Sequence, residues 1–163
     1  MSGFPQELVS ALIKAYDVRG LVDSQLTPDF VRAAGGAFVE AVGLREDGAI
    51  VVGHDMRPSS PAFAQAFAEG AAAHGVDVIL IGLCSTDGLY FASGTLNLPG
   101  AMFTASHNPA AYNGIKMCRA GAAPVGQETG LAEISAMLVA GVPEYDGPPG
   151  RISHREMLQD YAD

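Results

Sequence analysis

Basic residues are scarce in this chain. Nine Lys and Arg stand against 18 Asp and Glu in 163 residues, a formal net charge of −9. That balance argues against a nucleic-acid surface, which needs a basic face to neutralise phosphates. No apolar run approaches the ~20 residues of a membrane span, and the opening Met1-Ser-Gly-Phe-Pro5 places no basic leader before an apolar segment. A soluble, cytoplasmic protein is expected, with neither nucleic acid nor membrane among its partners. Only two cysteines occur, Cys84 and Cys118, far apart, in apolar surroundings and without C-x-x-C spacing. They read as reduced, buried thiols, with a disulfide as the open alternative. No internal repeat is present.

Acidic residues are in turn missing from residues 88–127. Two readings stand side by side. A group carrying roughly −1.5 to −2 charges, such as a phosphoryl group, tolerates no negative neighbours; alternatively, the window is core and Gly/Ala loop and needs no charge.

With 48% hydrophobic residues, 20 Gly and 10 Pro, the chain suits one compact α/β domain able to bury a core. An alternating stretch over residues 12–20 predicts a first strand ending at Gly20. Thr27-Pro28-Asp29 opens a helix as cap, first residue and dipole partner. Its apolar face recurs at Phe30, Ala34, Phe38 and Val42 and stops at Gly43. Residues 49–55 form a continuous apolar run, as in a strand buried on both faces. Ser60 as N-cap and Pro61 then start a helix marked by Phe63, Phe67 and Ala71, with Gly75 as its stop. Residues 76–82 predict a third strand, Ser85 opens a short helix reaching Ala92, and residues 100–105 form a strand. An Asn113-Gly114 hairpin turn then leads to a strand over 115–118, and Leu131, Ile134, Met137 and Leu138 mark a last helix. This order predicts a three-layer α/β/α sandwich with a mixed, mostly parallel sheet. Residues 143–150 have linker composition, and Met157, Leu158 and Tyr161 follow at helical spacing. The boundaries expected are a domain over 1–142, then a linker and the start of a second domain over 143–163.

The chemistry concentrates in Gly100-Ala-Met-Phe-Thr-Ala-Ser-His-Asn-Pro109 and its continuation to Lys116. A buried strand ends in a turn that presents a serine, a histidine and a lysine together. Thr104-Ala-Ser-His-Asn-Pro109 followed by Tyr112-Asn-Gly-Ile-Lys116 resembles the phosphoserine loop of the α-D-phosphohexomutases, the phosphomannomutase/phosphoglucomutase family. Lys14-Ala-Tyr-Asp-Val-Arg-Gly20 resembles the family's K-A-Y-D-I-R-G entry motif. Gly53-His-Asp-Met-Arg-Pro-Ser59 resembles its G-R-D-T-R-x-S segment, with His54 replacing Arg and Met56 replacing Thr. The resemblance covers nearly the whole chain and implies domain 1 of a four-domain enzyme.

That resemblance implies a phosphoryl group moving between C1 and C6 of a hexose phosphate, through a bisphosphate intermediate and the Ser106 hydroxyl. Hexose 1,6-bisphosphate would be the activator. Lys116 and His107 are candidates for proton transfer and charge stabilisation, and Arg19 adds positive charge. Tyr16 and Arg57 are candidate substrate contacts. For His107 a loop-bracing hydrogen bond is the alternative, for Arg57 an ion pair with Asp55 that fixes the loop, and for Arg19 a solvated strand end. The family's magnesium is held by a phosphoserine oxygen, here on Ser106, and by three aspartates of a D-G-D-x-D loop. No D-x-D occurs in this chain, so the remaining ligands and domains would come from elsewhere, and the isolated chain is expected to be inactive. Two rival classes are a serine hydrolase, for which G-x-S-x-G is missing, and a non-enzymatic sugar-phosphate-binding or interaction domain.

Overall fold

The structure is a computed structural model that describes residues 3–43, 48–105 and 108–155. Ser106 and His107, with Met157, Leu158 and Tyr161 of the expected C-terminal helix, fall outside those residues. The element order is α1 (Gln6–Leu12), β1 (Val18–Leu21), α2 (Pro28–Val42), β2 (Ala49–His54), α3 (Ser60–Ala72), β3 (Asp77–Leu83), α4 (Thr86–Leu96), β4 (Gly100–Phe103), β5 (Tyr112–Arg119), β6 (Ala123–Pro124), α5 (Leu131–Ala140) and β7 (Ile152–His154).

Seven strands form one sheet in the order β1-β5-β4-β2-β3-β7, with β6 also on β5. β4, β2, β3 and β7 run parallel; β5 is antiparallel to both β4 and β1. Strand alternation sorts the side chains into two cores. Ala101 and Phe103 join Ile50, Val52 and the apolar faces of α2, α3 and α5 on one side, whereas Met102 and Cys118 meet Leu89 and Ala92 of α4 on the other. This is the expected three-layer α/β/α sandwich with a mixed sheet.

Helix α2 forms as its sequence signals require. The Thr27 hydroxyl accepts from the Phe30 amide at 3.2 Å, and Gly43 closes the helix at φ 73°. Three local expectations give way. Residues 12–20 are not one strand: Val9 and Leu12 are buried as the inner face of α1, a turn follows with the Lys14 amide donating to the Asp17 carbonyl, and the strand begins at Val18. Ser60 is not a cap but the first residue of α3; Ser59 holds the cap position without a side-chain bond to the helix, and the Ser60 hydroxyl donates to Asp55 at 2.6 Å. Asn113 and Gly114 are not a turn; they lie in β5 opposite Gly20 and Arg19. A Cβ on Gly114 would stand 2.1 Å from the Val18 carbonyl oxygen, so glycine serves close strand approach there. Helix α1 and strands β6 and β7 were not foreseen, and α4 runs on to Leu96. Both cysteines are free; burial pushes the Cys84 thiol up to about 11 and also raises Cys118.

Candidate active site

Strands β2 and β4 are parallel and in register from Val51 opposite Gly100 to His54 opposite Phe103. Their carboxyl ends are therefore level, and the β2–α3 and β4–β5 loops leave the sheet side by side, where ligands bind in open α/β sheets. The Asp55 amide donates to the Phe103 carbonyl at 3.0 Å, tying the two exits together.

One buried polar network holds both loops. Asp55 Oδ1 accepts from the Arg57 amide at 3.0 Å and from Ser60 Oγ at 2.6 Å, and Oδ2 accepts from Arg57 Nε at 3.2 Å. The far end of the guanidinium reaches across to the β4–β5 loop. Nη1 donates to the carbonyls of Pro109 at 2.8 Å and Tyr112 at 3.0 Å, and Nη2 to that of Asn108 at 2.8 Å. Burial alone would raise the Asp55 carboxyl. Hydrogen bonds from Ser60, the Arg57 amide and Thr104, with the Arg57 charge, outweigh it and hold the group below the ordinary carboxylate value. Arg57 thus braces the loop, and its guanidinium is committed to protein oxygens rather than pointed at open solvent.

Two cations lie on the opposite face of the sheet, the α4 side. Arg19 stands opposite Gly114 across the β1–β5 pair, and Lys116 is two residues further along β5, so alternation gives them the same face. Arg19 Nε is buried, 3.4 Å from an Asp17 carboxylate oxygen. Lys116 is half-buried and makes no hydrogen bond or ion pair with any described residue. Lys116 pairs with Met102 in β4 and Gly114 receives the Thr104 amide, so both cations sit at the level where the serine loop emerges.

Tyr16 is elsewhere. It is 74% exposed and rests against Gly126, in an open depression of about 510 Å³ shared with Pro124, Gln127 and Thr129. His54 Nδ1 lies 2.9 Å from the Asp55 carbonyl oxygen. Among the described residues no three His, Cys, Asp or Glu gather as a metal site. The sequence reading missed Ser59, Thr104 and Asn113. Asn113 is fully buried, with Nδ2 at 2.8 Å from Ser59 Oγ and 2.9 Å from Ser60 Oγ. It falls inside the Tyr112–Lys116 motif, but its local signal, the neighbouring glycine, points to a turn.

Comparison with known proteins adds an independent line. Residues 10–140 match the profile of phosphoglucomutase/phosphomannomutase, alpha/beta/alpha domain I. The chain is 43% identical over 128 residues to a phosphohexose mutase of Xanthomonas campestris, covering 78% of this chain and 28% of that protein. It is 37% identical over 157 residues to a phosphomannomutase of Klebsiella pneumoniae, covering 92% of this chain and 96% of that one. A phosphoglucomutase/phosphomannomutase family protein from Burkholderia thailandensis superposes with a TM-score of 0.82 at 31% identity, over 97% of this chain and 35% of that structure. The chain thus spans about a third or less of several of its relatives.

Proposed function

Because the chain belongs to the phosphoglucomutase/phosphomannomutase family, through its domain I, we propose that it is the phosphoserine-carrying part of a hexose phosphate mutase. The observation carrying this reading is the brace: one guanidinium, itself held by the Asp55 carboxylate, grips the β4–β5 loop at the carbonyls of Asn108, Pro109 and Tyr112. Arg19 and Lys116 stand at the same edge of the sheet.

In this reading the Ser106 hydroxyl carries the phosphoryl group. As the serine Oγ–P bond breaks, a bond forms from phosphorus to a hexose hydroxyl oxygen, and that hydroxyl loses its proton. Phosphoryl transfer asks mainly for positioning and charge neutralisation. Arg57 positions the loop. Lys116, with no competing partner among the described residues, is available to neutralise the leaving oxygen or exchange a proton, together with His107. Arg19 contributes fixed charge and Tyr16 an exposed aromatic contact. Magnesium would neutralise the phosphate through a Ser106 phosphate oxygen; the described residues do not complete such a site, and its other ligands would come from outside this chain.

The test is intact-mass analysis after exposure to glucose 1,6-bisphosphate, with the other domains of the Xanthomonas campestris relative supplied. One phosphoryl group should appear on the chain and disappear in Ser106→Ala, and Lys116→Met should slow its appearance roughly 10²–10⁴-fold. A chain that binds the sugar phosphate but never gains the mass is instead a binding domain.

A further inference from the structure

The polar network contains a residue to which neither the family match nor the loop motif gives a role. Asn113 is the second residue of β5, three residues before Lys116, with its side chain on the α3 side of the sheet and Lys116 on the other. It is fully buried, and every polar atom of its amide is used. Nδ2 donates to Ser59 Oγ and Ser60 Oγ, and Oδ1 accepts from the Gly114 amide at 2.8 Å. The Ser60 hydroxyl donates to Asp55, Asp55 holds Arg57, and Arg57 returns to the carbonyl of Tyr112, the residue before Asn113. The bonds close a ring that ties the start of β5 to the exits of both β2 and β4.

We propose that Asn113 is a positioning residue for phosphoryl transfer: through Ser60 and Asp55 it locks the start of β5 to the exits of β2 and β4, and so fixes Lys116 relative to the strand end from which the serine loop leaves. This rests on the mutase reading. The chemistry demands an amide. Ser60 spends its proton on Asp55 and so needs a donor opposite it, the Gly114 amide needs an acceptor, and one planar amide supplies both while its second N–H reaches Ser59. An aspartate of the same shape would lack both donors and would face Asp55 across a single hydroxyl. Among the described residues the ionisable groups of this network are Asp55 and Arg57 of the β2–α3 loop, with His54 beside them at the end of β2; the rate is therefore read relative to the unmodified chain at each pH. The first turn of α3 has no acid, and β1 opposes Asn113 with Gly20 while Arg19 points to the other face.

The experiment follows phosphoryl uptake at Ser106 from glucose 1,6-bisphosphate, with the other domains supplied as above, and records melting by circular dichroism in parallel. Asn113→Asp should slow uptake roughly 10–100-fold at neutral pH, the order of loss expected from misplacement of reacting groups. Its rate relative to the unmodified chain should recover as the pH falls towards 5, where the introduced carboxyl takes up a proton and again donates to Ser60. Ser60→Ala should lose a similar factor while Ser60→Thr, which keeps the hydroxyl, retains the rate. That pair decides the matter if Asn113→Asp does not fold. Lowered melting with uptake equal to the unmodified chain in Ser60→Ala means a purely structural role and overturns the proposal. No uptake by the unmodified chain is a different failure: it removes the mutase reading itself, and this proposal with it.

Discussion

Asp55 shows how one carboxylate can hold two loops in place. Its side chain is partly buried, yet the Ser60 hydroxyl, the Arg57 amide, Thr104 and the Arg57 charge favour the ionised form strongly enough to outweigh desolvation. A carboxyl whose folded-state value lies below its unfolded value, about 3.9, contributes stability that is fully present above that unfolded value. The contribution is lost as pH falls through the lower, folded value. Asp55→Asn should therefore melt below the unmodified chain at pH 7, and the gap should narrow only below about pH 4. Melting curves from pH 7 down to pH 3 check this, and a gap already closing between pH 7 and pH 5 would contradict the assignment to Asp55. The substitution should also loosen the loop, because Arg57 loses its anchor while keeping its three carbonyl acceptors.

Elements are held by close backbone approach as much as by apolar stripes. Helices α2 and α3 meet where a Cβ on Gly70 would lie 1.8 Å from the Arg32 carbonyl oxygen, and one on Gly35 2.2 Å from that of Phe67. Gly70→Ala should cost about 3 kcal/mol, the upper range for overpacking, or roughly 6–12 °C in Tm for a domain of this size. Gly94, inside α4, has nothing within 4 Å of such a Cβ, so Gly94→Ala should stabilise by about 0.4–1 kcal/mol. The two melting temperatures should move in opposite directions. Helix α2 was visible in the sequence because cap, first-turn proline, apolar period and terminal glycine agree. The Leu12–Gly20 stretch was not, since its alternating residues imitate a strand while Val9 and Leu12 are held by tertiary burial as a helix face. Asn113 was misread for a related reason. An Asn-Gly pair signals a turn locally, and only the arrival of Ser59 and Ser60 from residues more than 50 positions away turns it into a buried donor. Motif residues could be recognised one at a time; the hydrogen bonds joining them depend on which strands become neighbours, and β2 comes to lie beside β4, and so near β5, only through the connection by α3, β3 and α4.

At the scale of the whole molecule, charge is divided between surface and site. The chain carries −9 overall, yet residues 88–127 hold no acid, and that window contains β4, the serine loop and β5. The cations at this edge number few: Arg57 is committed to the loop, Arg19 is beside Asp17, and Lys116 alone among these three has no described partner. A phosphoryl dianion leaving a serine oxygen needs more neutralisation than one lysine and one half-neutralised arginine supply. The described residues assemble no metal site, and no D-x-D sequence occurs. Relatives such as the Xanthomonas campestris protein are much longer, with this chain matching 28% of it. The chain alone, given glucose 1-phosphate or mannose 1-phosphate with magnesium and bisphosphate activator, should therefore form no 6-phosphate above a blank. Supplying the other domains of a longer relative should restore turnover. A coupled assay for the 6-phosphate product reads both arms, and steady turnover by the 163 residues alone would mean that Lys116 and Arg19 neutralise the moving group without help from other domains.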